Sequence, residues 1–498
     1  MRIFCWAFLI SLNAILFGQT GYDQAFRPQF HFSPRAHWTN DPNGLVFFQG
    51  EYHLFFQYNP FGDTWGHMSW GHAVSPDLLH WKELPVALPE ANGVMIFTGS
   101  VVVDEVHSSG FCTGGKPCLV AVWTGYAAKT ATTPDRQHQN IAYSNDRGRT
   151  WTKYNGNPVL NLNLTDFRDP KVFWWAPAKH WVMAVSLPNE HKILFYTSPD
   201  LKQWKRVSEF GPAGATAGQW ECPELFEAPL DNKGEKRWVL KVGINPGAVG
   251  GGSGEQYFIG HFDGEHFQND NPPATTLWTD YGKDCYCALT FNHLPKSTAP
   301  IMLGWMSNWQ YAKETPTSPF RGQMTLPRKV ALRTTEDGVR LFQQPVDILA
   351  GLREQRFVLH STMDRTGHQF EFRSVVPLGT AQEIGWKVLA DDGTFTQIGY
   401  DKQKGIIFVD RTHSGKVGFQ KDFPARTEAP LKLSADTLSL DALVDRDSLE
   451  VFAEDGRVTI TNLVFAPANA NRLEFYARGG KAGAVSGNFW KLHSTWDK

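Results

Sequence analysis

Residues 75–81 read Ser-Pro-Asp-Leu-Leu-His-Trp, a Ser-x-Asp turn with a tryptophan a few positions behind it. The marker returns as Ser144-Asn145-Asp146 before Trp151 and as Ser198-Pro199-Asp200 before Trp204, with a degenerate copy at Phe262-Asp263-Gly264 before Phe267. Short polar side chains and glycine satisfy the backbone of a tight turn while the aromatic packs behind it, so each copy predicts a hairpin between strands. The runs Leu45 to Tyr58, Val172 to Ser186 and Arg237 to Gly243 are strand-like in their alternation.

A second series runs out of phase with the first. Just before the opening strand of each repeat stands a polar residue, Asp41, Ser100, Asp169, Glu221 and Asp284, at intervals of 59, 69, 52 and 63 residues. That period suits one four-stranded propeller blade, and five starts predict a five-bladed β-propeller. The innermost strands of a propeller line its axis, so carboxylates far apart in sequence converge at one mouth. After about residue 330 the markers stop. Gln343 to Gln355 suggests a short helical linker. Beyond it Phe370 to Val375, Ile406 to Asp410, Ser448 to Phe452 and Leu473 to Tyr476 read as short strands of a C-terminal β-sandwich. The expected organisation is all-β: an export segment at 1–20, a propeller at 27–335, a linker at 336–356 and a sandwich at 357–498.

The export segment is read from Arg2, the apolar stretch Ile3 to Phe17, too short to span a bilayer, and the small and polar residues Gly18 to Gly21. It predicts secretion, extracellular or periplasmic, with no membrane partner beyond that signal. A net charge of −2 and a pI near 6.8 provide no field for nucleic acid or an anionic surface, so a neutral partner is expected. Nineteen tryptophans favour strands and a site that grips the flat faces of sugar rings. Nothing in the sequence fixes an oligomeric state. Setting aside Cys5 in the export segment leaves five cysteines, an odd number that cannot form a complete disulfide framework. Cys112 and Cys118 flank a Gly-Gly turn and could pair, whereas Cys285 and Cys287 alternate along an apparent strand and would share a face. No histidine cluster accompanies them, and no metal site is expected.

Three acids stand in unusual settings. His37-Trp38-Thr39-Asn40-Asp41-Pro42-Asn43-Gly44 places Asp41 on a predicted rigid turn, where Pro42 restricts the backbone and Gly44 supplies freedom. Phe167-Arg168-Asp169-Pro170 does the same for Asp169, with a neighbouring guanidinium expected to keep its pKa low. Trp220-Glu221-Cys222-Pro223-Glu224-Leu225-Phe226 surrounds Glu221 with apolar groups that would disfavour its charge and suit it to donate a proton. Glu224 is the rival proton donor. Glycosidic cleavage needs such a set: one carboxylate at the anomeric carbon, one acid for the leaving oxygen, and a third group to hold ring hydroxyls.

With these residues the chain resembles glycoside hydrolase family 32, and within it levanases and exo-inulinases, from about Arg27 to Lys498. The marks are His37 to Gly44, Phe55-Phe56-Gln57-Tyr58-Asn59-Pro60, Phe97-Thr98-Gly99-Ser100, Arg168-Asp169-Pro170, Glu221-Cys222-Pro223 and Gly304-Trp305-Met306-Ser307-Asn308-Trp309. The resemblance implies Asp41 as nucleophile, Asp169 as transition-state stabiliser and Glu221 as acid/base. It also implies Asn40, Gln57, Trp65, Phe97, Thr98, Ser100, Arg168 and Trp309 as substrate-binding residues. Thr39 departs from the bulky apolar residue common at that position in the family. The implied reaction is retaining release of terminal fructose from levan or inulin, with sucrose as a smaller substrate and no cofactor. A fructosyltransferase, a sucrose-restricted invertase and a non-catalytic sugar-binding propeller are the alternatives; the joint presence of the three acids speaks against the last.

Overall fold

The computed structural model describes residues 21–131, 134–433 and 435–496, and the candidate export segment lies outside them. The fold is all-β, a propeller of radial sheets followed by a β-sandwich. The Ser-x-Asp markers join the third and fourth strands of their sheets. Ser75 Oγ accepts from the backbone N–H groups of Asp77 and Leu78, while Asp77 Oδ1 accepts from those of Leu79 and His80. Asp200 repeats the arrangement with Lys202 and Gln203, and Asp263 with Glu265 and His266. Trp151 and Trp204 each close their turn by donating Nε1–H to a carbonyl three residues back.

Five strands line the axis among the described residues: β1 (His37–Phe48), β2 (Val94–Asp104), β3 (Arg168–Trp175), β4 (Gln219–Leu230) and β5 (Tyr286–Thr290). Each packs beside the next, and β5 packs beside β1. From each, further antiparallel strands extend outward; those of β1 are Glu51–Tyr58, Ser69–Ser75 and Lys82–Leu88. The circle is tied shut at β1, where the late segment Phe320–Arg321 pairs in parallel with His37 and Trp38, and Val46 bridges to Asn292.

All five inner strands carry the same irregularity at the same level. The ladder gains one residue between Thr39 and Pro42, Ile96 and Gly99, Arg168 and Lys171, Glu221 and Glu224, and Tyr286 and Leu289. Such a bulge re-aims side chains and leaves a residue out of the ladder, which is where proline, lacking an N–H, is tolerated. Pro170 and Pro223 stand there, and Pro42 stands at the edge of its bulge, opposite Phe56. Asp41 and Asp169 therefore sit in strand bulges rather than on the rigid turns expected from their Asp-Pro pairs. Gly44 has φ +53°, and a Cβ there would lie 2.7 Å from Val101 Cγ2, so glycine is required.

The sandwich stacks one six-stranded sheet containing Phe370–Pro377 and Thr437–Asp445 on another containing Glu383–Ala390 and Thr396–Asp401. Phe370, Phe372, Trp386, Ile398, Val451 and Phe489 fill the space between them. A 3-10 stretch, Asp347–Leu352, stands where the sequence suggests a helical linker. Buried ion pairs join the two halves: Arg328, itself paired with Asp280, meets Glu450, and Arg411 meets Asp284 at 2.6 Å.

Candidate active site

The bulges deliver their side chains to one cavity of about 320 Å³, within the range of small-molecule sites. Asp41 enters from β1, Thr98 from β2, Arg168 and Asp169 from β3, and Glu221 from β4. Of the eleven residues expected at the site, ten line this cavity, the others being Asn40, Gln57, Trp65, Phe97 and Trp309. Ser100 does not. It lies deeper on the axis, where its hydroxyl donates to Pro170 O and accepts from Val172 N, tying β2 to β3.

Asp41 Oδ2 accepts from Thr98 Oγ1 at 2.7 Å, while Oδ1 has no hydrogen-bond partner among the described residues. Burial pushes Asp41 up to about 6; the hydrogen bond from Thr98 opposes the rise and the charge of Glu221 adds to it. Asp169 holds φ +67° and accepts from the Cys222 N–H at 3.0 Å. Its pKa is pushed up to about 7 by burial, with Glu221 and Asp41 adding to the rise against Arg168. This reverses the low value expected from the adjacent arginine. The bulge turns the Arg168 guanidinium away to Glu221 Oε1, which it meets through Nε at 3.1 Å and Nη2 at 3.0 Å, and to Asp166 at 2.6 Å.

Glu221 is likewise not in the apolar surroundings its sequence neighbours suggest. Alternation points Trp220 into the core behind the strand, and Glu221 meets Arg168 on one oxygen and the Tyr286 hydroxyl on the other, at 2.5 Å. The rival donor Glu224 is fully buried, ion-paired to Lys171 at 2.6 Å and bonded by Thr290, outside this cavity.

Asp284 does not take the fifth place at the mouth. In the register of the bulges that place belongs to Tyr286, while Asp284, two residues earlier, accepts from Arg411, Tyr311 and Leu463 N at the contact with the sandwich. Sequence reasoning also missed Tyr126, Asp135, Gln137, Thr165 and Asp166 on the cavity wall. Counting alternate residues back from Arg168 would have found Asp166; the others come from outer strands and loops that carry no marker. Aromatic faces frame the opening: Phe97 stacks on Tyr126 at 4.9 Å, Trp65 meets Phe97 edge-on, and Trp309 stacks on Trp38 at 5.9 Å. Thr39, the departure from the family pattern, is buried and donates to Gln57 O at 2.9 Å.

Cys112 pairs with Cys118, and Cys222 with Cys287, leaving Cys285 as a buried free thiol. Cys285 and Cys287 do not share a face, because the bulge and the left-handed Cys287, at φ +47°, break the alternation between them. Asp41 with Cys222 and Cys287, and Asp104 with Cys112 and Cys118, have metal-ligand spacing. In both groups the sulfurs are bonded to each other, which removes the thiolates a soft metal would take.

The N-terminal domain of glycosyl hydrolases family 32 matches residues 31–345, and the C-terminal domain of that family matches residues 343–491. The chain belongs to glycosyl hydrolase family 32 and is a glycosidase. It is 45% identical to a levanase of Bacillus subtilis (strain 168), over 100% of this chain and 75% of that protein. It is 41% identical to an extracellular exo-inulinase of Aspergillus awamori over 96% of each. The crystal structure of exo-inulinase from Aspergillus awamori superposes with a TM-score of 0.91 at 40% identity, covering 95% of this chain and all of that one.

Proposed function

We propose that this chain is a secreted, retaining β-fructosidase that removes terminal fructose from levan or inulin, and cleaves sucrose as a smaller substrate. One observation carries the assignment: Asp41, Asp169 and Glu221, from three separate strands, line a single cavity walled by aromatic rings. The levanase and exo-inulinase relatives support the fructan substrate, and an extracellular relative supports export. We read residues 27–335 as a five-bladed propeller, 336–356 as a linker and 357–498 as the sandwich, supported by the five inner strands packed in a closed circle.

Two displacements at C2 of the fructofuranosyl unit make up the reaction. The free Oδ1 of Asp41 attacks C2 and forms a fructosyl-enzyme, while Glu221 gives its proton to the departing glycosidic oxygen. Glu221 then takes a proton from water, which attacks C2, frees Asp41 and releases fructose with retained configuration. Asp169 holds ring hydroxyls, and Arg168 with Tyr286 orients Glu221 through both of its oxygens. Incubation of purified enzyme with levan, inulin and sucrose tests the proposal. Monomeric fructose as the sole early product from the fructans is expected; early oligosaccharides overturn the exo assignment, and oligosaccharides built from sucrose alone mark a transferase.

A further inference from the structure

Each cysteine of the Cys222–Cys287 pair directly follows one member of the hydrogen-bonded pair Glu221 and Tyr286. The bond joins β4 to β5, which lie side by side without any ladder hydrogen bond between them, across 65 residues of sequence and a Cα–Cα distance of 5.4 Å. Both cysteines are buried in the bulges and both hold φ +47°. The Cys222 N–H is the donor to Asp169 Oδ2, and Cys222 Sγ lies 3.6 Å from Asp41 Oδ2. One covalent tie thus adjoins all three acids. The other disulfide, Cys112–Cys118, spans only 6 residues and none of its atoms bonds to a residue of the cavity.

We propose that the Cys222–Cys287 disulfide is a positioning element of the active site. It fixes the spacing of β4 and β5 so that the Tyr286 hydroxyl reaches Glu221 and the Cys222 N–H reaches Asp169. The proposal rests on the assignment of Asp41 and Glu221 as nucleophile and acid/base. The other ties between neighbouring inner strands are non-covalent, such as Ser100 with Pro170 and Val172 and Thr290 with Glu224, and a shift of about 1 Å in a catalytic group lowers turnover about a hundredfold. A disulfide that acted only by constraining the unfolded chain would contribute to stability and leave turnover untouched.

The test compares wild-type enzyme, Cys222→Ala/Cys287→Ala, Cys112→Ser/Cys118→Ser and Glu221→Gln on levan and sucrose. A second route to the untied state reduces the folded wild-type enzyme with a phosphine, which takes oxygen from water as the S–S bond yields two thiols. Expected are a Cys222–Cys287 cross-linked peptide in the unreduced protein, and a kcat about tenfold lower in the untied enzyme with KM changed by less than about twofold. The Cys112→Ser/Cys118→Ser enzyme keeps wild-type kcat. Absence of the cross-linked peptide, or wild-type kcat in the untied enzyme, overturns the proposal. An active Glu221→Gln enzyme overturns instead the acid/base assignment beneath it. Where the double alanine variant does not fold, the reduced wild-type enzyme decides.

Discussion

Thr98 Oγ1 donates to Asp41 Oδ2 at 2.7 Å, so the carboxylate at the floor of the site is held by a hydroxyl from the next inner strand and not by a cation. That hydrogen bond favours the charged form in a setting whose burial disfavours it.

Replacing Thr98 with valine keeps the shape and removes the donor. The acidic limb of the kcat/KM profile, expected near 6 for ionised Asp41, then moves up by about one unit, the worth of one hydrogen bond to a charged group. Turnover at pH 5 falls further than at pH 7. A profile superposable on wild type contradicts the part given to Thr98.

The raised values of Asp41 and Asp169 also affect stability. Both carboxyls bind protons more tightly folded than unfolded, so between about pH 4 and pH 7 the folded state holds the excess protons and stability falls as pH rises. Asp41→Asn and Asp169→Asn are therefore expected to raise Tm at pH 8, each by the equivalent of about 1–3 kcal/mol, and to leave it unchanged near pH 3.5. Thermal melts across pH check the sign.

Glu221 and Glu224 separate cleanly. Asp41→Ala and Glu221→Ala are each expected to lower kcat roughly a thousandfold or more with the fold intact. Glu224→Ala leaves Lys171 buried without its partner, a loss of about 3–5 kcal/mol in denaturant unfolding, but retains more turnover per folded molecule. Equal, mild losses in all three variants contradict these roles.

Asp284→Ala breaks the buried pair with Arg411 at the contact between the two halves of the chain. A loss of about 3–5 kcal/mol is expected, read as a lower urea midpoint, with kcat of the folded enzyme unaltered. A catalytic loss without a stability loss returns Asp284 to the mouth of the site.

What the sequence made legible was local. The Ser-x-Asp turns, the Asp-Pro pairs and Glu221-Cys222-Pro223 carry their own backbone chemistry, and they located both the repeats and the acids. Whatever depended on the extra residue in each inner strand was misread. Arg168 was expected to serve its neighbour Asp169, yet the bulge sends it to Glu221; Asp284 was counted in place of Tyr286 because the polar series took no account of where the ladder slips. Ser100 shares a motif with Thr98 but lies on the far side of the same irregularity. Covalent pairing of Cys222 with Cys287 joins strands 65 residues apart, and spacing alone could not reveal it.

The pairing of Phe320–Arg321 with His37 and Trp38 has a bearing on biosynthesis. The strand that carries Asp41 leaves the ribosome early, but its neighbour on one edge arrives almost 300 residues later. Until then Asp41 stands on a strand with an unpaired edge, and that edge is covered only when Phe320–Arg321 docks against it.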